Sequence, residues 1–247
     1  MSENLKKKEN SNNTMVLQKY LSYCSFSSRR KSEFFIKHGK VKINGQIAKL
    51  GDRVNPQKDL VKIGEQVIKN NQSGFRYIML HKPRGFITTM SDEKGRKCVA
   101  DLVKDIPERI YPAGRLDKDS EGLIIMTNNG DFANRLIHPS KNVWKTYRVT
   151  VRPKLTEDQM TKLCTGIEID GKCTEPARVN IIVQEKHRVV LEISIKEGRN
   201  RQIRKMCESV GLEVARLKRI SIGTLKLGML SPGKWRDLNE NEIKIFY

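Results

Sequence analysis

The segment GRLDKDSEGLIIMTNNGD, residues 114–131, places a continuous apolar run between two polar stretches. The run GLIIMT has the composition of a strand that is covered on both faces, because a strand with one solvated face alternates apolar and polar residues. Four acids flank it, Asp117, Asp119, Glu121 and Asp131, in a chain whose formal net charge is +20. Such a group of acids in a basic protein first suggests a metal site.

The spacing of these acids matches part of a calcium-binding EF-hand loop, in which Asp117, Asp119, Glu121 and Gly122 would take positions 1, 3, 5 and 6. Position 12 is Asn128, which lacks the bidentate carboxylate that closes such a loop. The preceding YPAG also has Pro and Gly where the entering helix is needed. Calcium is therefore disfavoured. A metal-dependent nuclease, which would also use clustered acids, remains an alternative.

The composition favours a nucleic-acid-binding protein. Lys and Arg total 48 against 28 Asp and Glu, and a surplus of this size usually accompanies a polyanionic partner. No apolar run approaches the roughly 18 residues of a membrane span, and no signal-peptide pattern opens the chain, so we expect a cytoplasmic protein without membrane contact. The cysteines form no CxxC pair and are expected to be reduced thiols: Cys24, Cys98, Cys164, Cys173 and Cys207.

The beginning of the chain predicts a small module. Residues 1–14 have the polar, aperiodic composition of a disordered tail, and residues 70–74 have that of a linker. Between them, residues 15–69 predict two short helices, the second capped by the Ser27-Ser28 pair and ended by Gly39. A hairpin around Asn44-Gly45 and one more alternating strand, DLVKIGEQV, complete the module.

This module is basic. Residues 1–69 hold 15 Lys and Arg against 6 Asp and Glu, and so carry +9 of the net +20. The second helix opens with Arg29, Arg30 and Lys31, and a basic helix start beside a hairpin suits phosphate and sugar contacts on folded RNA, although a merely solvated face is the alternative. SSRRKSEFFIKHGKVKINGQ, residues 27–46, resembles the core of the S4 RNA-binding domain. This resemblance implies that the three basic residues bind RNA.

Residues 75–247 predict a larger domain in which strands dominate. Strand patterns such as KTYRVTV and RVVLEISI do not alternate one-for-one with helices, so we expect an α+β fold whose mixed, mainly antiparallel sheet is flanked by helices. DFANRLIHP predicts a helix that Asp131 caps and Pro139 ends. NRQIRKMCESVG predicts another helix, which ends at Gly211.

Four motifs of this domain, GRLDKDSEGL, HKPRGF, KTYRV and EGRNRQIRKM, resemble those of the pseudouridine synthases of the RsuA family, which also carry an S4 domain ahead of the catalytic one. The resemblance covers residues 15–237. It implies an enzyme that detaches uracil from its ribose and rejoins it through C5, with no cofactor or metal. The wording of GRLDKDS and KWRDL is closest to members acting on large-subunit rRNA, which implies 23S rRNA or a pre-ribosomal particle as the partner of a monomeric enzyme. 16S rRNA and tRNA remain open.

The resemblance assigns chemistry to three residues. Asp117 matches the catalytic aspartate, which could attack the sugar or the base, or take a proton from the sugar. Arg204 matches an arginine that pairs with this aspartate and lowers its pKa. Tyr147 matches the tyrosine that stacks on the target base. From the residues alone, a structural salt bridge between Asp117 and Arg115 would be the simpler interpretation.

Substrate contacts are expected around these residues. Ile203 should pack against the other face of the base, and Lys82-Pro83 should shape a strand end under the pocket. The residues expected to bind the substrate are Arg115, Ile203, Lys82, Arg199 and Arg201, and nearby basic residues such as Lys205 and Arg219 could hold RNA phosphates. A non-catalytic S4-type RNA-binding or ribosome-assembly protein would explain the charge, but not these motifs in the family's order.

Overall fold

The computed structural model describes residues 14–69 and 74–247. The chain divides into two compact units between Phe75 and Arg76. Nearly all of the predicted tail and most of the predicted linker lie outside the described residues, so the tail, the linker and the domain boundaries stay predictions. Within the described ranges, every helix is too short or too polar to cross a membrane.

The described residues of the first unit form two helices and six short strands. Its helices are α1 (Leu17–Tyr23) and α2 (Arg29–Lys37). Its strands are β1 (Met15–Val16), β2 (Val41–Ile43), β3 (Gln46–Ile47), β4 (Arg53–Val54), β5 (Val61–Ile63) and β6 (Gln66–Ile68). An antiparallel sheet has the order β3-β2-β5-β6, and β1 pairs with β4. Apolar side chains from both helices and from the strands form one small core, as expected for a module of this size.

The helix cap, the helix end and the hairpin turn that the sequence predicts in this unit are confirmed. The Ser28 hydroxyl accepts a hydrogen bond from the backbone N–H of Lys31 at 3.2 Å and so caps α2. Gly39, just beyond the helix, adopts φ +64°. Asn44 and Gly45 both have positive φ, as a type I′ turn requires, and they join β2 to β3.

The single strand predicted from DLVKIGEQV is wrong. The segment forms β5 and β6, an antiparallel pair in which Ile63 lies opposite Gln66. Gly64 between them adopts φ +56°. Because glycine accepts this left-handed conformation without steric cost, a tight turn fits inside the alternating pattern.

The second unit is built around a nine-stranded sheet. The strands of this unit are β7 (Tyr77–Lys82), β8 (Tyr111–Ala113), β9 (Glu121–Thr127), β10 (Lys145–Arg152), β11 (Glu168–Ile169), β12 (Lys172–Cys173), β13 (Arg178–Glu185), β14 (Arg188–Ile195), β15 (Glu213–Ile222), β16 (Leu225–Lys226) and β17 (Trp235–Asp237). Its helices are α3 (Gly130–Ile137), α4 (Glu157–Thr165), α5 (Gln202–Ser209) and α6 (Glu240–Lys244). Only β11 and β12, which pair with each other, lie outside the nine-stranded sheet among the described strands of this unit.

The sheet has the order β13-β14-β10-β15-β9-β7-β17, with β8 added to β9 and β16 to β15. Its neighbours are antiparallel except β9 and β15, which run parallel and pair through Glu121 with Lys218 and through Gly122 with Arg219. The predicted α+β fold with a mixed, mainly antiparallel sheet is therefore confirmed. The short parallel contact joins the two halves of the sheet.

Strand β9 is buried along its whole length, as its apolar run predicts. Leu123 and Ile125 pack into a cluster with Phe132 of α3, whereas Ile124 packs into a second cluster with Met206 of α5. A strand that is covered on both faces needs apolar residues at successive positions, which explains GLIIMT.

Helix α3 ends before Pro139 as predicted, but the predicted cap is wrong. The Oδ1 atom of Asn129 accepts hydrogen bonds from the N–H groups of Asp131 and Phe132, both at 3.1 Å. Asn129 has the extended backbone of an N-cap residue, while Asp131 already lies in the first helical turn. An acid there is still favoured by the helix dipole.

Candidate active site

Asp117 lies in the turn between β8 and β9. The side chain of Lys82, at the end of β7, holds this turn by hydrogen bonds. Lys82 is fully buried, and its Nζ donates hydrogen bonds to the carbonyl oxygens of Asp117 (3.0 Å), Ser120 (2.6 Å) and Pro83 (3.1 Å). Burial lowers the pKa of Lys82 to about 8, although the nearby Asp117 charge opposes this shift. All three N–H donors of the ammonium are used by the protein. This arrangement supports the expected shaping role of Lys82 and contradicts its expected contact with substrate.

Gly122 fixes the position of the same turn against β15. A Cβ atom at Gly122 would lie 2.2 Å from the carbonyl oxygen of Arg219 and 2.7 Å from its nitrogen, and the backbone there has φ +114°. Only glycine permits this approach. Arg219 in turn lies opposite Tyr147 on β10. The parallel contact therefore brings the Asp117 turn close to the strand that carries Tyr147.

A cavity of about 160 Å³ opens where these elements meet α5. Asp117, Tyr147 and Ile203 all line it, so the structure brings together the acid, the aromatic ring and the apolar side chain that the motifs single out. The Asp117 side chain is 33% exposed, whereas Tyr147 and Ile203 are almost fully buried. Such a pocket combines one partly exposed carboxylate with an aromatic and an apolar side chain that suit a flat base.

Arg201, not Arg204, is the arginine closest to pairing with Asp117. Its Nη1 lies 4.0 Å from Oδ2 of the aspartate, at the outer limit of an ion pair. Arg204 instead donates to the carbonyl oxygens of Asp119 (3.0 Å) and Val214 (3.2 Å). The expected pairing of Arg204 with Asp117 is therefore wrong for this structure, because the guanidinium is committed to these carbonyls. Burial lowers the pKa of Arg204, and the Asp117 charge partly opposes this.

The other expected substrate arginines differ in their availability. Arg115 and Arg199 both line the cavity. The guanidinium of Arg199 is occupied by Glu197 at 2.9 Å and by the carbonyl oxygens of Lys172 and Cys173. An RNA phosphate would have to displace these partners. Arg201 is half exposed and is the better placed of the two arginines on the Arg199–Arg201 loop.

In the first unit, Arg29, Arg30 and Lys31 are exposed on the first turn of α2. The positive end of the helix dipole adds to their charge, which suits phosphate binding. They remain predicted RNA contacts.

Sequence reasoning missed two basic features of the cavity. Lys145 lines it and lies two residues before Tyr147, a spacing that puts both side chains on one face of β10 and could have revealed it. Arg219 also lines it but is only 4% exposed, so its expected role as an outer phosphate contact is wrong. Lys205, another of the residues given that role, pairs with Asp170. Leu217 and Arg219 lie two residues apart on the buried face of β15. This two-residue spacing from an apolar residue was the signal that could have predicted a buried Arg219.

Comparison with known proteins identifies both units. Residues 76–209 match the RNA pseudouridylate synthase family, and residues 17–61 match the S4 domain. The chain is 41% identical to ribosomal large subunit pseudouridine synthase B of Bacillus subtilis, over 92% of this chain and 93% of that protein. It is 37% identical to the dual-specificity RNA pseudouridine synthase RluF of Escherichia coli, over 92% of this chain and 76% of that protein.

A solved pseudouridylate synthase has a similar structure, with a TM-score of 0.69 and 28% sequence identity, over 94% of this chain and all of that one. Family match, relatives and fold agree with the four motifs around the cavity and with the S4 domain ahead of them. The chain belongs to the RNA pseudouridine synthase family, as an RsuA-type member with an N-terminal S4 domain.

Proposed function

We propose that this enzyme isomerises one specific uridine of 23S rRNA, with Asp117 as the reacting group and without a metal or cofactor. The observation that carries the proposal is that Asp117, Tyr147 and Ile203 line one cavity together. We further expect it to act as a cytoplasmic monomer on rRNA or on a pre-ribosomal particle.

The chemistry requires an unpaired uridine. The target nucleotide must leave its stack, at a cost of a few kcal/mol, and enter a pocket that replaces the lost stacking. Tyr147 would stack on one face of the base and Ile203 would contact the other. Asp117 would then attack the sugar or the base, or remove a proton from the sugar, and Arg201 at 4.0 Å would balance its charge.

Two features support RNA of the large ribosomal subunit as the substrate. The first unit matches the S4 domain and presents exposed basic residues at the start of α2. The Bacillus subtilis relative is named for the large ribosomal subunit, and it matches over nearly the whole chain. The name of RluF indicates that a related enzyme has dual specificity, so other RNAs belong in the test.

The test is to map pseudouridines in 23S rRNA, 16S rRNA and tRNA from cells with and without the gene. We expect one 23S position to lose its pseudouridine and to regain it with the wild-type gene but not with Asp117→Asn. A lost position in 16S rRNA or tRNA would refute the proposed target and keep the family's reaction. Rescue by Asp117→Asn would support a non-catalytic RNA-binding role, and turnover that EDTA abolishes would support a metal-dependent reaction.

A further inference from the structure

One buried cation, Arg219, and one half-buried cation, Lys145, line the cavity without an acidic partner. Arg219 donates from Nε to the carbonyl oxygen of Leu123 at 2.7 Å, and its Nη2 is buried with no hydrogen-bond partner among the described residues. Lys145 donates from Nζ to the carbonyl oxygens of Val143 and Lys196, both at 3.1 Å. An ammonium has three N–H donors, so one remains. Within residues 14–69 and 74–247, neither cation forms a salt bridge.

This arrangement is costly for the folded protein. An uncompensated buried charge typically costs several kcal/mol, and two of the same sign repel each other. Burial lowers the pKa of Lys145 to about 8, and the positive charge of Arg219 adds to this shift. Lys145 lies two residues before Tyr147, and Tyr147 pairs with Arg219 across the sheet, so both cations belong to the wall that carries Tyr147.

The backbone around Arg219 leaves it little freedom. Gly122 contacts the Arg219 backbone on one side, and Tyr147 lies opposite it on the other. The bond to Leu123 holds the guanidinium in turn. Arg219 is thus held beside the ring on which the target base would stack. It is too enclosed for a phosphate, which retains much of its hydration, but it faces the pocket that would take the base.

The reaction creates negative charge that such cations would stabilise. The N1–C1′ bond breaks, the C5–C1′ bond forms, a proton leaves C5 and N1 gains one, so that atoms and electrons balance. If Asp117 attacks C1′ or removes a sugar proton, the N1–C1′ electron pair leaves with the uracil. If it attacks C6, the C5–C6 π electrons move toward the C4 carbonyl. On every route, charge accumulates on the uracil carbonyl oxygens.

We propose that Arg219, assisted by Lys145, donates hydrogen bonds to the uracil carbonyl oxygens and stabilises the negative charge that develops there. Donors held in advance where charge develops are among the largest contributions to catalysis, since they need no rearrangement during the reaction. This inference rests on the proposed function, because it requires uridine in the cavity.

The test uses an RNA fragment that contains the mapped uridine, and two versions with 2-thiouridine or 4-thiouridine at that position. Sulfur is a weaker hydrogen-bond acceptor than oxygen. We expect Arg219→Gln to lower kcat roughly 10²–10³-fold with little change in KM, as for loss of one donor to a developing oxyanion. We also expect the penalty for sulfur at one of the two positions, present in the wild type, to vanish in this variant, because the two changes remove the same contact.

Lys218→Gln is the matched control. Lys218 is the preceding residue of β15, and its side chain points to the opposite face of the sheet. This variant removes one positive charge and should keep the wild-type kcat and both sulfur penalties. If Arg219→Gln fails to fold, because the carbonyl of Leu123 loses its partner, the same comparison with Lys145→Met decides the question.

Sulfur penalties that stay unchanged in folded variants of Arg219 and Lys145 would overturn the inference, as would a wild-type kcat in those variants. They would leave the proposed function intact, since the wild-type enzyme forms pseudouridine in the same RNA. A wild-type enzyme that forms none in any of the mapped RNAs would overturn the proposed function first, and this inference with it.

Discussion

Replacing Gly122 with Ala tests how the site is assembled. The added Cβ would lie 2.2 Å from the carbonyl oxygen of Arg219, a backbone atom in the middle of the sheet, so a side-chain rotation cannot relieve the overlap. The positive φ of +114° adds strain that costs about 1–2 kcal/mol for a residue with a Cβ. Overpacking typically adds about 1–3 kcal/mol. We therefore expect the free energy of unfolding to fall by about 2–5 kcal/mol, a large share of the roughly 5–15 kcal/mol of a typical domain.

The unfolding free energy is measured by urea titration with circular dichroism, and activity by single-turnover formation of pseudouridine. Turnover should also fall, because β9 would move away from β15 and carry the Asp117 turn away from Tyr147. Gly95→Ala is the control: Gly95 has φ +64° but no atom within 4 Å of its added Cβ, so only the strain of about 1–2 kcal/mol is expected. If the two variants had equal unfolding free energies and wild-type turnover, the close approach at Gly122 would not be what positions the turn.

Further outcomes follow from the same geometry. Asp117→Asn should reduce turnover by roughly 10⁴-fold while RNA binding survives, and amide variants of the other acids in that turn should keep near-normal rates. Arg201→Met should reduce turnover about fivefold, because a partly exposed ion pair contributes about 1 kcal/mol. Arg204→Met should mainly lower the unfolding free energy, by about 1–3 kcal/mol, because two carbonyl oxygens lose their hydrogen-bond donor. Deletion of residues 1–72 should weaken RNA binding and flatten its dependence on salt, as measured by titration at several ionic strengths. The pKa of Lys82 is lowered from 10.5 to about 8, so between these pH values the unfolded chain binds more protons than the folded one. The free energy of unfolding of the wild type, measured by urea titration, should therefore rise by about 2–3 kcal/mol from pH 7.5 to 10 relative to that of Lys82→Met.

Local patterns predicted most elements of the fold, because each depends on residues close in sequence. The apolar run of β9 and the Asn44-Gly45 turn are examples. The two errors in predicting these elements were also local. Gly64 allowed a turn inside an alternating pattern, and Asn129 and Asp131 are both residue types that cap helices, so composition alone could not choose between them.

Long-range contacts could not be predicted in this way. Lys82 holds a turn 35 residues later, and Gly122 contacts the backbone of Arg219, 97 residues later in the chain. Lys and Arg are rarely buried without a partner, so a sequence full of basic residues predicts a solvated surface for nearly all of them. The buried positions of Lys82 and Arg219 become visible only when the sheet is complete.

The two arginines of RNRQIR show why a motif identifies a site before it identifies a contact. Arg201 and Arg204 are three residues apart, a spacing that places helical side chains on one face, so either could be directed toward Asp117. Arg201 precedes α5 in a left-handed conformation with φ +51°, while Arg204 lies within the helix, where the carbonyl oxygens of Asp119 and Val214 hold its guanidinium. The outcome therefore depends on where α5 begins and on which carbonyls lie beside it, and neither is encoded in the motif itself. Because the carbonyl of Asp119 belongs to the turn that carries Asp117, Arg204 acts on the aspartate by holding its backbone, and Arg201 acts on its charge.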